Sequence, residues 1–98
     1  MQFLESELTD MEKQKSFSRF HIIPCPIEKT VSYGAGTSGG PGAILEASQE
    51  LERSSICEQG IYTHPAMDCS VAHKTCLAGL RKQVRMVIEA GKFPVVLG

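Results

Sequence analysis

Hydrophobic positions follow different spacings in successive stretches of this chain. From Gln2 to Ser18 the residues are mostly polar or charged. Leu4, Leu8 and Met11 recur there at helical intervals, which predicts a loosely held helix or a frayed arm. Residues 1–19 are therefore expected to form a variable N-terminal arm. Phe20 to Cys25 (FHIIPC) is a compact apolar run closed by Pro24 and Pro26, as for a first strand that stops at prolines. Ile27 to Gly40 is a long loop rich in Gly, Ser and Thr. Pro41 then opens a helix, where its missing N–H costs nothing. The predicted span is Pro41 to Glu52, with Ile44, Ala47, Ser48 and Leu51 on one face and Glu46, Glu50 and Arg53 off it.

Gly60 to Thr63 is read as a short second strand. Ser70 is a candidate N-cap for a helix from Val71 to Ala90. Leu77, Leu80, Val84, Val87 and Ile88 make its apolar stripe, and Lys74, Arg81, Lys82 and Arg85 lie off it. Gly91 suits the position just past the last turn. Phe93 to Leu97 (FPVVL) is unbroken apolar sequence, as expected for a strand buried on both faces of a parallel sheet.

Strand, loop, helix, short strand, helix, strand is the order of βαβ units with right-handed crossovers. The fold class expected is α/β: a partial parallel sheet with flanking helices, the first and last strands parallel neighbours or near neighbours. In open α/β sheets, functional loops lie beyond the carboxyl ends of the strands, and Gly98 stands at the end of one.

Composition narrows the function classes. Ninety-eight residues with 42% hydrophobic and 21% charged side chains suit one small globular domain. A formal charge of −1 lacks the basic excess of nucleic-acid binders. No apolar run is long enough to span a bilayer. The acidic start, with Glu5, Glu7, Asp10 and Glu12, has no signal-peptide pattern. Cys25, Cys57, Cys69 and Cys76 are accordingly expected to be free thiols in a reducing cytoplasm.

Local motifs carry little chemistry by themselves. Gly34-Ala35-Gly36-Thr37-Ser38-Gly39 matches G-x-G-x-x-G. A dinucleotide fingerprint needs that run directly after a strand, whereas prolines and several further residues intervene; a tight loop near another backbone is the plainer reading. Cys69, His73 and Cys76 share a helical face at i, i+4 and i+7, but zinc sites usually offer a C-x2-4-C pair and four ligands. Free thiols and a surface histidine are expected instead. The basic residues of the last helix read as its solvated side. No catalytic nucleophile pair or pair of carboxylates is signalled.

Ile23 to Ser48 (IPCPIEKTVSYGAGTSGGPGAILEAS) resembles the opening of the ureohydrolases of the arginase/agmatinase family. Their loop T-x-S-Y-x-x-G-T-x-x-G-P leads into a helix A-I-x-x-A-S. Thr30, Ser32, Tyr33, Gly36, Thr37, Gly40, Pro41, Ala43, Ile44, Ala47 and Ser48 fit that pattern. Gly60, Ile61, Tyr62 and Asp68 resemble the next segment, and Gly91 to Gly98 the strand entering the family's G-G-x-H-S motif. The likeness runs from Phe20 to Gly98. Cys25 and Ile27 depart from the usual V-P-[YF] turn, Gly39 stands where a basic residue is common, and Gly42 sits early in a helix.

The resemblance implies a three-layer α/β/α sandwich of which residues 20–98 form the N-terminal portion, truncated before the metal-binding motifs. It implies two Mn²⁺ ions holding a hydroxide that attacks a guanidinium carbon and releases urea. The partner implied is an agmatine-like guanidino molecule, and the assembly a homo-oligomer, a trimer or hexamer. None of the ligand motifs occurs here, so no catalytic or metal residue is carried over, no cofactor is expected on this chain, and the chain alone is expected to be inactive. Ser32, Tyr33, Gly34, Gly36 and Thr37 are carried over as a substrate loop near the site mouth. Two other readings stay open: a non-catalytic protein pairing with intact family subunits, and a small nucleotide- or metal-binding α/β domain.

Overall fold

The computed structural model describes residues 1–27 and 39–98, with the side chain of His73 excepted. Among these residues three parallel strands form one sheet: β1 (Phe20–Pro24), β2 (Ile61–Thr63) and β3 (Phe93–Leu97), in the order β2-β1-β3. In register, Ile22 faces Thr63 on one side and Val95 on the other. Two helices connect them, α1 (Gly40–Ser48) and α2 (His73–Glu89). The expected partial parallel sheet with flanking helices, its first and last strands parallel neighbours, is what forms.

The order of strands explains where the helices lie. The chain steps outward from β1 to β2, then back past β1 to β3. Right-handed crossovers taken in opposite directions leave their helices on opposite faces. Strand side chains alternate between faces. Ile22 and Ile61 bury with Leu45 of α1 and with Leu4, Leu8 and Cys57, and Val95 and Leu97 pack against that cluster. On the opposite face Cys25 and Cys76 of α2 approach the same third thiol, that of Cys69. The layers are thus α1 with the N-terminal segment, the sheet, and α2.

Several elements depart from the sequence-based expectation. The first eighteen residues form turns around a 3-10 turn, Met11–Lys13, in place of a helix, and they are not frayed. Leu4 and Leu8 are buried, the Leu4 N–H donates to Ser48 Oγ (2.9 Å) and the Phe3 N–H to Thr63 Oγ1 (2.9 Å). Helix α1 ends at Ser48, short of the expected Glu52, and buries Pro41, Leu45 and Ser48. Ile44, Ala47 and Leu51 point to solvent instead. The arm takes the Leu45–Ser48 side, so the packed line runs through 41, 45 and 48. Ser48 Oγ also donates to the Leu45 carbonyl (2.6 Å).

Ser70 is not the N-cap of α2. Its N–H and hydroxyl both bond Asp68 Oδ1 (3.0 and 2.5 Å), a local turn that competes with capping, and the helix starts at His73 with Ala72 before it. Its packed line is Cys76, Leu80, Val84 and Val87, while Leu77 and Ile88 are exposed. The far end is as expected. Gly91 takes φ +77°, its N–H bonds the Ile88 carbonyl (2.9 Å), and the Lys92 N–H bonds the Val87 carbonyl (3.0 Å), which is the Schellman pattern of paired end bonds. Strand β3 is not buried on both faces: Phe93 is 54% and Val96 42% exposed, because β3 is an edge strand among the described residues.

Candidate functional site

A reversal of strand order marks the place where open α/β sheets bind ligands, beyond the carboxyl ends of the strands on either side of it. Here that point lies between β1 and β3. The chain leaves β1 through Cys25, whose N–H bonds the Leu97 carbonyl (2.8 Å). It returns at the start of α1. A Cβ on Gly40 would stand only 3.1 Å from the Gly98 carbonyl oxygen, so the first turn of α1 sits directly against the end of β3. Beside this junction a cavity of about 570 Å³ opens, lined by Pro24 and Pro26 after β1, Pro41 and Leu45 of α1, and Thr63 and His64 at the end of β2. Pro26 and Pro41, on either side of the undescribed residues 28–38, therefore both line the cavity. Ser32, Tyr33, Gly34, Gly36 and Thr37, the expected substrate loop, lie outside the described residues.

His64 is held by a buried relay. Its N–H bonds the Ile22 carbonyl (2.8 Å), continuing the β1–β2 ladder by one residue. Its Nε2 lies 2.9 Å from His21 Nδ1, and His21 Nε2 lies 3.0 Å from the Lys15 carbonyl oxygen. That carbonyl only accepts, so His21 carries its proton on Nε2, its Nδ1 accepts, and His64 donates from Nε2; the tautomers are assigned from this network. Tyr62 packs beside both, its ring tilted 5.3 Å from that of His21 and edge-on 4.7 Å from that of His64. Burial pushes the His64 pKa down to about 4, with the neighbouring His21 and Lys15 adding to it. Burial likewise lowers that of His21. Both rings are thus neutral at pH 7, and His64 presents a weakly basic imidazole at the cavity.

Sequence reading did not find this pair. The β1–β2 register, which pairs His21 with Tyr62 and brings His64 alongside, is a tertiary fact. The i, i+4, i+7 set is also rearranged: Cys69 and Cys76 meet each other and Cys25, and the side chain of His73 is outside the described residues. Among the described residues this is the one group of three or more His, Cys, Asp or Glu side chains converging closely enough to hold an ion. It contains no carboxylate.

A family model described as the arginase family matches residues 18–98. The chain belongs to the arginase family. Over 113 aligned positions it is 34% identical to an N(1)-aminopropylagmatine ureohydrolase of Synechocystis sp.. That alignment takes in 99% of this chain and 35% of the relative, so the chain spans about a third of that relative's length. No solved structure matches it. The arginase-family likeness reaches into the N-terminal segment as far as residue 18, two residues before β1. Its parallel β2-β1-β3 sheet with flanking helices agrees with the α/β arrangement that the family resemblance implied.

Proposed function

We propose that this chain builds the N-terminal part of a ureohydrolase domain that cleaves a guanidino amine of agmatine type and releases urea. The family match over residues 18–98 carries this reading, and the named activity of the Synechocystis relative supports the substrate class. The role of these residues in it is positional. The end of strand β1 and the start of helix α1 wall the cavity, and the end of β3 delivers the chain to the switch point.

The two-manganese centre implied by the resemblance does not fit the described residues. Manganese takes hard oxygen donors and imidazole, and the one converging group here is three thiols. The ligands of such a centre belong to sequence other than these residues. The reading further includes a homo-oligomer and a cytoplasmic setting, the latter in keeping with four free thiols. No helix among the described residues is long and apolar enough to cross a membrane.

Urea release tests the proposal. The 98-residue chain with Mn²⁺ should give only background from agmatine, N(1)-aminopropylagmatine or arginine. The same chain joined to the remaining two-thirds of the Synechocystis relative should release urea from one of the first two. Chelator-sensitive release by the 98-residue chain alone refutes its assigned inactivity. A folded, manganese-loaded chimera inert on every guanidino compound refutes the ureohydrolase reading.

A further inference from the structure

Three of the four cysteines converge from three different elements. Cys25 follows β1 and is held by its backbone bond to Leu97. Cys69 sits in the turn made by Ser70 on Asp68, and that segment is tied to β1 by the Met67 N–H on the Pro24 carbonyl (2.9 Å). Cys76 lies in the first turns of α2, its N–H on the Ala72 carbonyl (2.9 Å). The sulfurs are 3.0 Å apart for Cys69–Cys76 and 3.8 Å for Cys25–Cys69, and all three lie within 4.8 Å of one another. Zinc–thiolate bonds of about 2.3 Å at tetrahedral angles separate sulfurs by about 3.8 Å, so small side-chain adjustments bring all three onto one ion.

We propose that Cys25, Cys69 and Cys76 form a thiolate site for one thiophilic d10 cation, with Zn²⁺ as the expected ion. Soft thiolates select zinc and cuprous copper over hard ions. Charge favours zinc. Three thiols and Zn²⁺ give a complex of charge −1 and three released protons, whereas Cu⁺ gives a complex of charge −2 in the same half-buried place, where excess charge costs more. Cys25 and Cys76 are buried and Cys69 is partly open, which leaves room for a water as fourth ligand. Burial and the neighbouring thiols push the Cys69 pKa up to about 12 and raise that of Cys25, so those two are neutral thiols when no metal is bound. A bound cation removes the mutual repulsion that opposes their ionisation. The site is separate from the guanidino chemistry proposed above. Its effect is to clamp the segment before α2 and the start of α2 to the end of β1.

Cobalt(II) and zinc titrations of the 98-residue chain, in a phosphine reductant, test this directly. One equivalent of Co²⁺ should produce sulfur-to-cobalt charge-transfer absorption, and Zn²⁺ should abolish it at one equivalent. Alkylation followed by mass spectrometry should then find Cys25, Cys69 and Cys76 protected. Cys69→Ser, at the partly open position, should lose at least tenfold in zinc affinity while keeping the circular dichroism of the metal-free chain. Cys57→Ser, whose thiol lies in the other core, should bind as the parent does. Tight cuprous binding at the same three thiols, with zinc bound weakly, overturns the choice of ion. Absence of the cobalt band, or unchanged affinity in Cys69→Ser, overturns the site.

Discussion

Two buried imidazoles and one buried carboxylate carry the acid sensitivity of this chain. His64 stays neutral down to about pH 4 in the folded state, while an unfolded histidine protonates near pH 6.5. Between those values the unfolded state binds more protons, so stability falls as pH falls through that window. Glu12 adds a second window. Arg53 holds it in a paired bond (2.6 Å to each oxygen), and the guanidinium, with Thr9, brings its pKa down to about 2. Its contribution is present above the ordinary carboxylate range and is lost as pH falls toward 2. A urea-midpoint profile should therefore decline in two stages, the first between about pH 6.5 and 4. Arg53→Ala should remove the second stage and spare the first. An NMR titration placing His64 near its ordinary value would contradict the relay.

Helix α1 shows how a short element is read and misread. Pro41 at its start was legible because proline has few other places in a helix. Its buried face was not, since nine residues with Ile44 and Leu45 adjacent offer two candidate stripes. The N-terminal segment decides between them by packing on Leu45 and Ser48. Leu45→Ala should cost about 2–5 kcal/mol, the usual range for a buried leucine. Ile44→Ala, at a position 42% exposed, should change stability by about 0.5 kcal/mol or less. Chemical denaturation of both variants checks the assignment, and equal losses would restore the face first expected from the sequence. In α2 the periodicity was strong enough to show the helix itself and its Gly91 stop. The start was obscured because Ser70, a good cap by type, bonds Asp68 instead.

At the scale of the whole chain the molecule is a slab, 40 × 31 × 15 Å, with a radius of gyration of 14.1 Å; a compact domain of about 100 residues has about 13 Å. Phe93, Val96, Leu77, Met86 and Ile88 are all exposed, and the outer edge of β3 has no strand partner among the described residues. An apolar strand edge is a template for association, and each large side chain left wet forgoes roughly 1.5–3 kcal/mol. The isolated chain is expected to self-associate at micromolar concentration and to unfold in urea with a broad transition. Sedimentation equilibrium together with circular dichroism checks this; a soluble monomer with a sharp transition would contradict it.

Parallel strands joined through helices, the Gly91 stop and the family itself were determined by the sequence alone. Each rests on local chemistry: apolar runs bounded by proline, a 3.6-residue stripe, a glycine able to take positive φ, and motif residues in order. Tertiary structure alone decided the burial of Leu4 and Leu8, the face of α1, the His21–His64 relay and the meeting of Cys25 with Cys69 and Cys76. Those depend on strand register and on which face each crossover covers. The strand register and the turns beyond it bring together residues 43 and 44 positions apart, and no local pattern encodes that distance.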